Sequence, residues 1–252
     1  ATQAYAGILS VNCDANDEPV IPAIASADML SALFGLSAVL MALLRRKDTG
    51  RGDYIDLAMM DSLVGAMPNN LGPVFAEKRA PNPKDERSWG GNAMYGIYAT
   101  KDGRHLALGG AEMHFAENLL NKLGRPDLVT LCEPPPGPTQ EPVRAFFRET
   151  FKSRTLSEWL AFCEDIDVAI APVNNLREAM DDPQIRARQM IVTDEQGWEH
   201  VGMAIKFQDE PGQQSFYLPE LGEHNEALLR ELGFGDDDVQ RVVAGGAFAR
   251  NI

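Results

Sequence analysis

Ala25-Ser26-Ala27-Asp28-Met29-Leu30, the apolar run from Ser31 to Leu44, and Arg45-Arg46-Lys47-Asp48-Thr49-Gly50-Arg51-Gly52-Asp53-Tyr54-Ile55-Asp56-Leu57-Ala58-Met59 form the stretch that decides the fold. Apolar residues cover most of a helical circumference from Asp28 to Lys47, which predicts a long helix buried on several sides. Arg45, Arg46 and Lys47 suit its C-terminus, where cations meet the negative end of the helix dipole. Gly50 and Gly52 make a turn, and the alternation over Tyr54 to Met59 predicts a strand. Asp28 stands at the helix start. There a carboxylate can serve as a plain N-cap, accepting an unpaired backbone N–H. Spacing alone leaves that role and a chemical one equally open.

Working outward, residues 1–10 read as a helix and 11–24 as a loop rich in Asn, Asp and Pro. Residues 61–71 read as a helix with Pro73 beyond its end. Glu77 to Trp89 is polar and holds Pro81 and Pro83, which suits a linker. Strands are predicted at 95–100 and 105–108, joined by the Asp102-Gly103 turn. Helices follow at 112–123, 141–152 and 155–165, with Phe146, Phe147, Phe151, Trp159 and Phe162 at helical spacing as a core. Ala171-Pro172-Val173 is a short extended piece. Short helices are predicted at 176–180 and 182–188, a two-stranded element within 192–205, and last helices at 223–232 and 236–243.

The 252 residues suffice for one large or two modest domains. A net charge of −14 argues against nucleic acid or an anionic membrane as partner. The three cysteines have no CxxC or zinc-like spacing, so reduced thiols and no metal are expected. The apolar run Leu30 to Leu44 is too short to span a bilayer. No secretory n-region or h-region opens the chain, and the cytoplasm is the default expectation. The opening residues read as the inside of a helix, as if the chain began within a domain.

Further segments align with the opening one. They are Arg51 to Met59; Gly90-Gly91-Asn92-Ala93-Met94 with Tyr95 to Gly103; Ala171-Pro172-Val173 with Asp182-Pro183-Gln184-Ile185-Arg186-Ala187-Arg188; and Leu218-Pro219-Glu220-Leu221-Gly222-Glu223-His224-Asn225. Together and in order, they resemble the family III CoA-transferases (the CaiB/BaiF type) and their α-methylacyl-CoA racemase relatives, in the C-terminal portion of that family. The resemblance implies an α/β fold. Residues 1–75 would belong to a large Rossmann-like domain, 76–87 to a linker, 88–188 to a small α+β domain, and 189–252 to a linker and return to the large domain. The family's N-terminal portion lies outside this chain. In the family two such chains interlock, so a homodimer or a partner chain supplying the N-terminal half is implied.

The resemblance also assigns roles. Asp28 would be the catalytic carboxylate and coenzyme A, as acyl-CoA, the substrate, with a carboxylic acid as second substrate. Gly90 and Gly91 match the loop that covers the nucleophile in the transferases, although Asn92-Ala93-Met94 replace the family's fuller glycine run. Glu112 matches a catalytic acid of the racemases and also suits a helix start. The basic patch at Arg45 and Arg46 would meet CoA phosphate. His224 is family-like and reads as structural. Three readings follow: CoA transfer through an aspartyl intermediate on Asp28; racemisation with Asp28 and Glu112 as acid/base groups; and a non-catalytic fragment or half-protein that works with an N-terminal partner chain.

Overall fold

In the computed structural model, which describes residues 1–14, 16–86 and 90–246, contacts divide the chain into residues 1–173 and 174–252. This division follows contact density. The large- and small-domain assignment remains an expectation of the resemblance, and its boundary at residues 87 and 88 lies outside the described residues.

In the first unit, α1 (Thr2–Tyr5) and α2 (Ile8–Val11) replace the single helix expected over residues 1–10. Gly7 separates them in a left-handed conformation, φ 87°, that a helix interior does not hold. The long helix α3 spans Ser26–Thr49 and ends at Gly50, also left-handed at φ 69°. Its 24 residues reach about 36 Å. The apolar run Leu30 to Leu44 alone is too short for a bilayer, but the helix continues beyond it at both ends. By length and composition α3 is able to cross a membrane, as many buried core helices also are. It packs with α1 and with α4 (Met59–Gly65), burying Ala27, Ser62 and Leu63. Pro68 halts the helix expected to run to Leu71, and a short 3₁₀ turn and α5 (Gly72–Ala76) follow.

The predicted strand at 54–59 does not form: residues 51–58 have no regular structure. Tyr54 is 91% exposed. A strand exists only where another strand answers its N–H and C=O groups, and no described segment pairs with this one.

Beyond residue 90, β1 (Tyr95–Ala99) and β2 (His105–Gly109) form the expected hairpin, with Tyr95 opposite Gly109 and Ala99 opposite His105. The Ala171 piece is the third strand, β3 (Ile170–Pro172), antiparallel to β2. Three helices, α6 (Met113–Lys122), α7 (Glu141–Phe151) and α8 (Leu156–Cys163), supply the core with Leu106, Leu108 and Tyr98 of the sheet. Phe147, Phe151 and Trp159 are buried as predicted, while Phe146 and Phe162 pack at the edge of the same cluster. Edge-on rings, Tyr98 to Phe147 at 5.6 Å and Phe151 to Trp159 at 5.1 Å, add about 0.5–1.5 kcal/mol each. α8 starts with a capping box: Thr155 Oγ1 accepts the Glu158 N–H, and Glu158 Oε2 accepts the Thr155 N–H at 2.8 Å.

The second unit holds α9 (Leu176–Asp181), α10 (Pro183–Ala187), the hairpin β4 (Ile191–Thr193) and β5 (Glu199–Val201), α11 (Asn225–Glu231) and α12 (Asp236–Ala244). Asn175 and Glu178 form a capping box on α9, and Asp182 caps α10 ahead of Pro183. Asp181 and Glu199 clamp Arg177 and Arg186 between them. The thiols of Cys13, Cys132 and Cys163 are free; burial pushes the Cys132 thiol up to about 11.

Candidate functional site

Asp28 is not an N-cap. Ala25 occupies that position, and Asp28 lies in the first turn of α3. The structure therefore corrects the capping alternative while leaving the acid at the positive end of the dipole, where a carboxylate is favoured. Its side chain is exposed and lines a cleft of about 440 Å³ with Gln3, Ile21, Ile24 and Met59. Gln3 Nε2 donates to Ser26 Oγ at 2.6 Å, tying α1 to the start of α3 and closing one side of the cleft. Among the described residues, no ion pair or side-chain hydrogen bond engages the Asp28 carboxylate. Met59 closes the stretch that Asp28 opens, so the two ends of that stretch meet at this cleft. Such an arrangement leaves a carboxylate free to attack an electrophile or to exchange a proton.

The other expected residues lie elsewhere. Glu112 is the N-cap of α6, exposed, with no cap bond from its side chain, and it does not line the Asp28 cleft. Arg45 and Arg46 are exposed near the far end of α3. Arg45 is about 26 Å from Asp28 along the helix at a rise of ~1.5 Å per residue. Arg45 is also engaged, donating to Asp53 Oδ2 at 2.7 Å. Gly90, at φ +118°, lines a separate cleft of about 380 Å³ with Lys84, Asp85, Glu141, Arg144 and Arg148. Gly91 is buried against its own chain: a Cβ there would stand 2.4 Å from the Asp85 carbonyl carbon and oxygen. Its glycine requirement thus has a local packing cause. His224 is the N-cap residue of α11 and makes no cap bond.

Sequence reasoning missed Gln3, Gln140 and Arg144. Gln3 lies in a short helix without a motif, and Gln140 and Arg144 act on residues 47 and 53 positions earlier in the chain. Among the described residues, no cluster of three His, Cys, Asp or Glu side chains is placed to hold a metal ion.

An acid opening a long apolar helix, a cleft above it and a three-stranded antiparallel sheet under three helices define a mixed α/β protein with a carboxylate site. Residues 1–225 match the family model described as CoA-transferase family III. The chain belongs to that family. It is 29% identical over 235 residues to the succinyl-CoA--L-malate CoA-transferase beta subunit of Chloroflexus aurantiacus, across 88% of this chain and 57% of that protein. It is 26% identical over 250 residues to human alpha-methylacyl-CoA racemase, across 95% of this chain and 63% of that one. A crystal structure of a CaiB/BaiF family protein from Brucella suis aligns with a TM-score of 0.72 at 26% identity, covering 92% of this chain and 61% of that one. The chain thus spans about 60% of the length of these relatives.

Proposed function

We propose that this chain supplies the catalytic carboxylate of a CoA-transferase acting between carboxylic acids. The observation that carries the reading is Asp28, unpaired and open to a cleft at the N-terminus of α3. An Asp28 oxygen attacks the thioester carbonyl carbon of the donor; the C–S bond breaks, leaving an aspartyl–acyl anhydride and CoA thiolate. The thiolate attacks the Asp28 carbonyl carbon, which releases the donor acid as carboxylate and leaves an aspartyl-CoA thioester. An acceptor carboxylate then attacks that thioester to form a second anhydride. Returning thiolate cleaves it to acceptor-CoA and restores Asp28. Every bond broken is matched by one formed, and no oxidant or metal enters.

Succinyl-CoA and L-malate are the first donor and acceptor to test, from the name of the Chloroflexus relative. Arg45 and Arg46 are the candidates for the CoA phosphate; the pairing of Arg45 with Asp53 is solvent-exposed and weak enough to be exchanged for it. The apolar face of α3 is read as facing protein, a second copy or a partner chain. In the full-length enzyme, Asp28→Ala should abolish transfer while CoA-thioester binding persists. Transfer within about tenfold of wild type, a loss of ~1.4 kcal/mol, would refute the assignment.

The racemase relative supports a second reading, racemisation at the α-carbon of a 2-methylacyl-CoA, with Asp28 and the exposed Glu112 as the two acid/base groups.

A further inference from the structure

Lys101 and Arg154 meet in one cleft of the layer built by the three-stranded sheet and its helices. The cleft measures about 530 Å³, and Ser153, Glu158, Ala161 and Phe162 complete its lining. Lys122, Arg125, Arg144, Arg148 and Lys152 of the same layer each sit in an ion pair with a carboxylate. Among the described residues, Lys101 and Arg154 have no such partner. Surplus positive charge gathered in one place stands out in a chain of net charge −14. The two donors are also tied to each other. The Lys101 N–H donates to the Arg154 carbonyl at 2.9 Å, which fastens the β1–β2 turn to the α7–α8 connection. The Arg154 guanidinium lies 4.3 Å from the centre of the Phe162 ring and 4.9 Å from that of Trp159. Ring faces attract a cation, so the guanidinium is held in place before any ligand arrives and loses little freedom on binding one.

The other polar groups of the cleft are already committed. Glu158 Oε2 accepts the Thr155 N–H at 2.8 Å and the Thr155 hydroxyl at 2.9 Å, and its charge answers the positive end of α8. These Thr155 bonds foremost, and the charges of Lys101 and Arg154 after them, hold the Glu158 carboxyl below the usual carboxylate range, so both cations act on this cleft. Ser153 Oγ donates to the Thr150 carbonyl at 2.6 Å. What remains for a ligand is one guanidinium fork and one ammonium. A carboxylate fills the fork with its two oxygens and leaves the ammonium unanswered. A phosphate dianion offers a further oxygen and a second charge. We propose that Lys101 and Arg154 form a binding site for a phosphate group, free or carried by a small phosphomonoester. The cleft shares no described residue with the Asp28 cleft, and the proposal is independent of the CoA-transfer reading.

The test uses the full-length protein and reads the site at Lys101 itself, so that phosphate held elsewhere does not enter. Amine acylation is followed by peptide mass spectrometry during titration with inorganic phosphate, glycerol 3-phosphate or acetate at constant ionic strength. Phosphate should shield Lys101 and leave Lys152 unchanged, with a midpoint about tenfold below that of acetate. Arg154→Gln and Arg154→Lys should each raise the phosphate midpoint about tenfold, the first by removing the charge and the second by removing the fork. Arg154→Lys keeps a cation beside the rings, so it decides the matter if Arg154→Gln fails to fold. A lower midpoint for glycerol 3-phosphate than for inorganic phosphate assigns the site to phosphomonoesters; equal midpoints assign it to the phosphate group alone. Shielding that acetate matches, or a phosphate midpoint that the Arg154 variants leave unchanged, overturns the site. Because no turnover is measured, an enzyme inactive in CoA transfer leaves this result as it stands.

Discussion

The side-chain oxygen of Gln140 accepts the backbone N–H of Ala93 at 2.9 Å, joining the start of α7 to the glycine turn 47 positions earlier. Replacing it with Leu keeps the volume and leaves the Ala93 N–H without a partner in a buried place. We expect Gln140→Leu to lower unfolding stability by about 1–3 kcal/mol. Urea denaturation followed by amide exchange at Leu106 and by tryptophan fluorescence, to which the buried Trp159 contributes, measures this. An unchanged midpoint would mean that the bond contributes nothing net.

Trp159 is the largest side chain of the core, and its Nε1 donates to the Phe151 carbonyl at 2.8 Å. Trp159→Ala removes both the ring and that donor. The expected cost is about 3–5 kcal/mol, a large share of the roughly 5–15 kcal/mol that holds an ordinary domain folded. Thermal denaturation by circular dichroism checks it, with Phe162→Ala, at the edge of the cluster, as the milder comparison.

Glu112 separates the two chemistries proposed for the site. Transfer acylates Asp28 and leaves the α-hydrogen in place; racemisation removes that proton and takes up another from solvent. Full-length enzyme incubated with a 2-methylacyl-CoA in deuterated buffer, with and without hydroxylamine, distinguishes them. We expect acyl trapping at Asp28 without deuterium at the α-carbon, and the same outcome in Glu112→Gln. Deuterium uptake that falls sharply in Glu112→Gln would put racemisation first.

The helix α3, expected to be buried on several sides, displays apolar residues to solvent around most of its circumference within this chain, Leu33, Leu36 and Leu40 on one side and Phe34 and Met41 on another. Contiguous apolar surface of that kind marks an interaction site. Residues 1–252 in isolation should therefore bind a dye specific for apolar surface and self-associate in sedimentation. Leu33→Glu with Leu40→Glu should reduce both. A monodisperse monomer with no dye binding would contradict the expectation.

His200 Nε2 lies 2.7 Å from Asp194 Oδ2, and the backbone N–H groups of Trp198 and Gln196 also donate to Asp194. His200 first, then these amides, hold the Asp194 carboxyl below the usual carboxylate range. A depressed carboxylate adds stability that is complete above its unfolded value of about 3.9 and is lost as the pH falls through the folded value. The β4–β5 hairpin should thus loosen in acid below about pH 4. Asp194→Asn should be less protected at neutral pH and lose that acid dependence. Exchange at the Trp198 amide, followed from pH 6 down to about pH 3, is the measurement.

Much of this protein is legible in its sequence because the signals are local. Thr155 with Glu158, Asn175 with Glu178, and Asp182 before Pro183 start helices through bonds made within three residues. The Asp102-Gly103 turn brings β1 and β2 together, and Phe147, Phe151 and Trp159 announce their core by helical spacing. Asp28 stood out by its place before an apolar helix, and the order of short motifs pointed to family III, which the match over residues 1–225 bears out.

Tertiary structure decided what depends on partners far along the chain. Whether Tyr54 to Met59 is a strand is set by a neighbour to pair with, and the described chain offers none. Whether Asp28 caps α3 is set by where the helix begins, three residues earlier at Ala25. The cleft around Asp28 needs Gln3 and Met59 brought together by packing of α1, α3 and α4. The grip of Gln140 and Arg144 on the glycine turn is written in no local pattern: its hydrogen bonds form only after the helices have closed over the sheet, when desolvation makes leaving those groups unpaired costly.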